Sequence, residues 1–98
     1  MARYSVYRLR SGTRVVDCQA DILAHLKSRF VVPLLRADEF PGALIRLNPL
    51  LQFKRERLLM ATHLAVSIPT SEIAKELGSL ADQDSMIANA LDMLLMGF

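Results

Sequence analysis

The sequence holds a single cysteine, so Cys18 cannot close an internal disulfide. A lone thiol is compatible with a reducing compartment, and the cytoplasm is the expected setting. No stretch approaches the roughly 18–20 uninterrupted apolar residues of a membrane span, so no membrane partner is expected. The opening Met1-Ala2-Arg3-Tyr4-Ser5-Val6 lacks the apolar core that a signal peptide needs. There is no glycine-rich loop to cradle phosphate, no internal repeat and no Gly/Ser linker. One cysteine and two histidines without ligand spacing do not make a metal site, and no cofactor is expected.

What is present points to a small, oily domain. The 98 residues are expected to form one domain, 1–98, which buries about 60–65% of the surface its unfolded chain exposes. Yet 52% of the residues are apolar. Either the core is unusually dense or a dimer interface takes up the excess. Charge is uneven: residues 1–57 hold 11 Lys/Arg against 5 Asp/Glu, and residues 58–98 hold 1 against 5. The first part is therefore either a solvated basic face or a surface for an acidic partner, protein or nucleic acid.

Arg3 to Arg10 and Thr13 to Gln19 are β-favouring runs around Ser11-Gly12, the pattern of a hairpin. Residues 20–28 suit a loop or one helical turn. Phe30-Val31-Val32-Pro33-Leu34-Leu35 reads as a short strand, and Pro33 assigns it to an edge or a bulge. Arg36 to Asn48, with Pro41-Gly42, is an irregular connection. Residues 49–53 and 58–61 form a third strand pair around the exposed turn Lys54-Arg55-Glu56-Arg57, with helix as a competitor over 47–64. After Pro69 a short helix is expected, capped by Thr70 or Ser71 and ended by Gly78. A second helix starts near Asp82 or Asp84 and runs to the C-terminus. Its polar residues Asp82, Ser85, Asn89 and Asp92 make one narrow stripe, so burial on two sides is expected. The result is an α+β fold, mainly antiparallel β, with helices at the end.

Catalytic chemistry is hard to find. Cys18, His25 and His63, with Asp17 to orient them, are the obvious nucleophile and base candidates, but nothing local joins them. Cys18 beside Val15 and Val16 reads as a small buried hydrophobe. Asp17, Asp21, Asp38 and Glu39 show no pairing that asks for acid–base work. Lys54-Arg55-Glu56-Arg57, extended by Arg8, Arg10 and Arg14, could touch phosphate, although such a tip is usually just solvated. The chain is therefore read as non-enzymatic. Phe98, apolar and last in the sequence, either folds back into the core or a dimer seam or serves as a binding end.

Three segments read together. Val16-Asp17-Cys18-Gln19-Ala20-Asp21-Ile22-Leu23, then Arg29-Phe30-Val31-Val32-Pro33-Leu34, and the ending from Ile68-Pro69 through Ile87-Ala88-Asn89-Ala90-Leu91-Asp92-Met93-Leu94-Leu95-Met96-Gly97-Phe98 resemble the CcdB family of toxins. The resemblance runs through the whole chain in order and is loosest over Arg36–Asn48.

The resemblance implies a homodimer of SH3-like small barrels of the CcdB/Kid/MazF type, each with a C-terminal helix. It implies the toxin of a type II toxin–antitoxin pair, a plasmid-maintenance class that binds the DNA gyrase A subunit and traps the cleavage complex. A cognate CcdA-like antitoxin would neutralise it through an acidic segment, and operator DNA would be bound, and the operon repressed, only by toxin and antitoxin together. Gyrase poisoning in the family depends on a terminal Trp-Gly-Ile, matched here by Met96, Gly97 and Phe98. Ile22 and Leu23 match a second contact region. Leu95 matches an aromatic position, and Asp92 stands where asparagine is frequent. The resemblance thus implies gyrase binding by Ile22, Leu23, Asp92, Leu95, Met96, Gly97 and Phe98. The alternatives are a MazF/Kid-type endoribonuclease, or a non-toxic relative that binds antitoxin alone.

Overall fold

A computed structural model describes residues 1–98. Alternation of apolar and polar residues produces the strands. β1 (Ser5–Leu9) and β2 (Arg14–Asp17) form the expected hairpin, with Val6 opposite Val16. β3 (Ser28–Arg36) lies beside β2, β4 (Leu50–Phe53) and β5 (Glu56–Met60) form the second hairpin, and β6 (Val66–Pro69) and β7 (Ile73–Ser79) follow. The antiparallel sheet runs β4-β5-β3-β2-β1-β7, with β6 paired to β3. Helix α1 (Asp84–Met96) closes the chain.

Successive residues of β1, β2 and β3 point to opposite faces, and each face has its own core. Val6, Val16, Val32 and Leu34 join Leu51, Phe53, Leu58, Met60 and Leu80, with Ile87 and Ala90 from α1 as the lid. On the other face Tyr7, Val15 and Val31 pack under Leu9, Ile68 and Ile73. The two ends of the sheet meet without a ladder: a Cβ added at Gly78 on β7 would lie 3.0 Å from the Phe53 ring on β4. The architecture is a small antiparallel half-barrel with a C-terminal helix.

Four expectations are corrected. β3 is not an edge strand: it has nine residues and neighbours on both sides, β2 on one and both β6 and β5 on the other. Pro33 is tolerated because β6 pairs with residues 28–31 and β5 with 34–36, so the missing N–H falls in the gap between them. The hairpin turn is Lys54-Arg55 alone, and Glu56 and Arg57 belong to β5.

The short helix after Pro69 is a single 3₁₀ turn, Thr70–Glu72, without a side-chain cap, and residues 73–79 are β7. Ala74, Lys75 and Glu76 favour helix locally, but without β7 the outer N–H and C=O groups of β1 would have no ladder. Finally, α1 buries one side: Ile87 and Ala90 are enclosed, whereas Met86, Leu94, Leu95 and Met96 face outward.

Candidate functional site

The start of α1 is tied to the sheet by one side chain. Gln83 accepts from the Gln52 N–H at 2.8 Å and donates to the Gln52 carbonyl at 2.7 Å, taking the place of a further strand along the β4 edge. Ile87 and Ala90 anchor the middle of the helix in the larger core. Beyond them the helix leaves the body, and Leu95 is 70% exposed, Met96 64% and Phe98 69%. Phe98 therefore does not fold back into the core.

Gly97 adopts φ +81, and its N–H bonds the Met93 carbonyl at 3.1 Å, a left-handed C-cap that turns the chain and presents Phe98. Asp92 is exposed one turn before Leu95 and Met96, so a carboxylate borders the apolar tip. Five of the expected site residues thus share one protruding helix end.

Ile22 and Leu23 sit elsewhere, on a 3₁₀ turn at Asp21–Leu23, with Ile22 85% exposed. No hydrogen bond joins this turn to α1. The Val16–Leu23 string builds the turn. Asp21 Oδ1 accepts the Arg3 N–H at 2.8 Å. Gln19 donates through Nε2 to the Leu23 carbonyl at 3.0 Å and accepts from the Phe30 N–H at 2.9 Å. Gln19 thus staples an exposed apolar loop to β3.

Asp17 has a structural role that its sequence context did not reveal. Its Oδ2 accepts from Tyr7 Oη at 2.7 Å and Arg29 Nε at 2.7 Å, and its Oδ1 accepts from the Gln19 N–H at 2.9 Å. Asp17 and Arg29 are both fully buried. Burial opposes the guanidinium charge of Arg29, but the hydrogen bond and charge of Asp17 outweigh it and raise its pKa. Burial first, then the bond to Asp17, raises the Tyr7 phenol. A saturated carboxylate that no substrate reaches is a strut, not an acid or base.

The other chemical candidates are not gathered. Cys18 is buried, and burial, then the neighbouring Asp17, pushes its thiol up to about 12, which leaves no thiolate for nucleophilic work. His63 lies 4.9 Å from the Phe40 ring and 3.4 Å from Asn48 Nδ2, and His25 is on the exposed loop before β3. No group of three His, Cys, Asp or Glu side chains could hold a metal ion. No helix is long and apolar enough to cross a membrane.

A family model described as CcdB protein matches residues 3–97. Solved structures share the fold, two of them endoribonucleases. One is described as an endoribonuclease from Mycobacterial species, with TM-score 0.83 and 15% identity over 98% of this chain and 91% of that one. The other, an endoribonuclease in complex with its cognate antitoxin from Mycobacterial species, has TM-score 0.82 and 16% identity over 98% and 95%. This likeness establishes the fold. It also removes the ground for reading the chain as non-enzymatic, because both of these similar structures are named as endoribonucleases. The match over nearly every residue places the chain in the CcdB family of toxins.

Proposed function

We propose that this CcdB-family chain is the toxin of a toxin–antitoxin pair and docks on the A subunit of DNA gyrase with the end of α1, trapping the cleavage complex. The supporting observation is the tip itself: Leu95, Met96 and Phe98 are large, apolar and solvent-facing, the first two on the last turn of α1 and Phe98 just past its glycine cap. Apolar groups exposed in this way lose nothing in the free protein that a concave partner could not restore. A homodimer is part of the proposal, supported by the exposure of Met86 and Leu94 on α1 and of Leu64 and Val66, apolar side chains that a second copy could cover. So are an antitoxin, for which a similar fold seen with its cognate antitoxin is support, and joint repression of the operon.

The test is a supercoiling and DNA-cleavage assay with purified gyrase. Inhibition and stabilised cleavage complexes at micromolar protein are expected, and both should disappear on deleting 96–98 while the fold persists by circular dichroism. Gyrase that works normally at that concentration refutes the proposal.

A second reading is endoribonuclease activity, favoured by the names of both similar structures and by a cation-lined cleft on the half-barrel. RNA cut at defined sequences, with gyrase unaffected, would establish it.

A further inference from the structure

Five methionines and Cys18 are the side chains that a hydroperoxide oxidises most readily, and the fold gives them very different access to solvent. Met60 is fully enclosed in the larger core, and Met93 is half-buried on α1. Met86 is 43% exposed, but one side of it walls an apolar hollow with Ile45, Leu50 and Leu59. Met96, on the last turn of α1, is 64% exposed, more than any other methionine. Met1 is exposed as well, but it lies in the segment before β1 and is no part of the helix.

Cys18 does not compete with these thioethers. Peroxide attacks a thiolate, and burial, together with the neighbouring Asp17 carboxylate, keeps this thiol protonated. A thioether has no proton to lose, so its rate follows its access to solvent.

Access and position coincide at Met96. Its companions at the tip, Leu95 and Phe98, are exposed hydrocarbon that peroxide leaves untouched. The Met96 sulfur is therefore the one atom through which an oxidant can change the polarity of the tip. Nothing nearby would mask a new acceptor there. Asp92, one turn earlier, only accepts, and no other side chain from 92 to 98 can donate a hydrogen bond.

We propose that Met96 is an oxidation site whose sulfoxide switches off the apolar tip of α1. A hydroperoxide transfers one oxygen to the sulfur: the O–O bond breaks and an S–O bond forms. The thioether gives up two electrons, and the peroxide leaves as an alcohol, or as water when it is hydrogen peroxide. The sulfoxide oxygen is a strong acceptor, so burying it unpaired against an apolar partner surface opposes docking. Methionine sulfoxide reductases, with a thiol as reductant, reverse the step. The loss of docking rests on the gyrase reading given above, whereas the change in the tip's polarity does not.

The experiment treats the folded full chain with hydrogen peroxide at pH 7 and follows each methionine by peptide mass mapping. Met96 should oxidise at least about tenfold faster than Met60 and ahead of Met93, and the differences should collapse in 8 M urea. Retention on a hydrophobic-interaction column reads the tip without any partner, and the oxidised chain should elute earlier. Met96→Leu keeps Met1 and Met86 and should shift far less on oxidation, whereas Met86→Leu should shift as the parent does. Titration of the gyrase A subunit should show the sulfoxide form docking at least about tenfold more weakly than the untreated chain, with reductase restoring it. Whatever its starting affinity, Met96→Leu should give the same value before and after peroxide.

Met60 or Met93 oxidising as fast as Met96 in the folded chain overturns the proposal. So does unchanged retention once Met96 is converted, or gyrase docking undiminished in the sulfoxide form. A urea midpoint lowered by oxidation at Met96 would assign the effect to unfolding and overturn it too. A chain that never docks on gyrase, yet loses retention when Met96 is oxidised, refutes the docking reading and supports the oxidation switch.

Discussion

The substitution Asp17→Asn puts the buried strut to its sharpest test. Asp17 and Arg29 are fully enclosed, and Arg29 Nη1 has no hydrogen-bond acceptor. The asparagine keeps the shape of the carboxylate but leaves the guanidinium charge uncompensated in the interior. Breaking a buried pair in this way costs about 3–5 kcal/mol. A domain of this size has roughly 5–15 kcal/mol of stability in all, so the loss is at least about a fifth of the total.

Equilibrium urea unfolding at fixed protein concentration reads this directly. With a slope of about 1–2 kcal/mol/M, the midpoint should fall by roughly 1.5–5 M. Tyr7→Phe is the graded control. It removes one hydrogen bond to a carboxylate that keeps Arg29 Nε and the Gln19 N–H, and should cost about 1.5 kcal/mol. The double variant Asp17→Asn/Arg29→Met removes both charges and should regain most of what Asp17→Asn loses. A loss under about 1 kcal/mol for Asp17→Asn, or a double variant less stable than the single, would refute the reading of this cluster as a coupled buried pair.

Alkaline pH should destabilise the fold. Burial holds the Cys18 thiol near 12 rather than 9.0 and raises the Tyr4 and Tyr7 phenols above 10.0, so the native chain keeps protons that the unfolded chain releases. Stability from Cys18 is therefore complete below about pH 9 and falls above it by about 1.4 kcal/mol per pH unit, and the phenols add to the loss only above about pH 10, as urea midpoints between pH 8 and 11 will show. Cys18 should accordingly resist a thiol reagent at pH 8 in the native state and react within minutes in 8 M urea; fast native labelling would place it at the surface. Gly78→Ala forces a Cβ to 3.0 Å from Phe53 and should cost about 1–3 kcal/mol by urea unfolding, with Phe53→Leu restoring part of it. If the helix tip docks on gyrase, Met96→Trp supplies a ring that can stack on an arginine of the target. It should tighten binding by about 0.5–2 kcal/mol in a titration, and weaker binding would count against docking through this face.

Much of this protein follows from local pattern. Alternation in residues 5–17 and 50–60 dictates the two hairpins, because side chains on a strand must sort between two faces whatever the rest of the chain does. The oily segment after Asp84 is a helix for a similar reason, and the Val16–Leu23 and terminal strings marked the family. Burial of Cys18 was legible from its valine neighbours.

The tertiary structure decided the rest, since each remaining feature depends on a partner distant in sequence. Residues 73–79 look helical until β1 needs an outer ladder. Pro33 argues for an edge until two strands share the same side of β3. Asp17 looks unpaired until β3 brings Arg29 beneath it, and Arg8, Arg14 and Lys75 become one row because three strands hold them in register. The second apolar side of α1 is the reverse case: its composition suggested burial, and the body of the chain is too small to cover it, which leaves Leu95, Met96 and Phe98 in solvent.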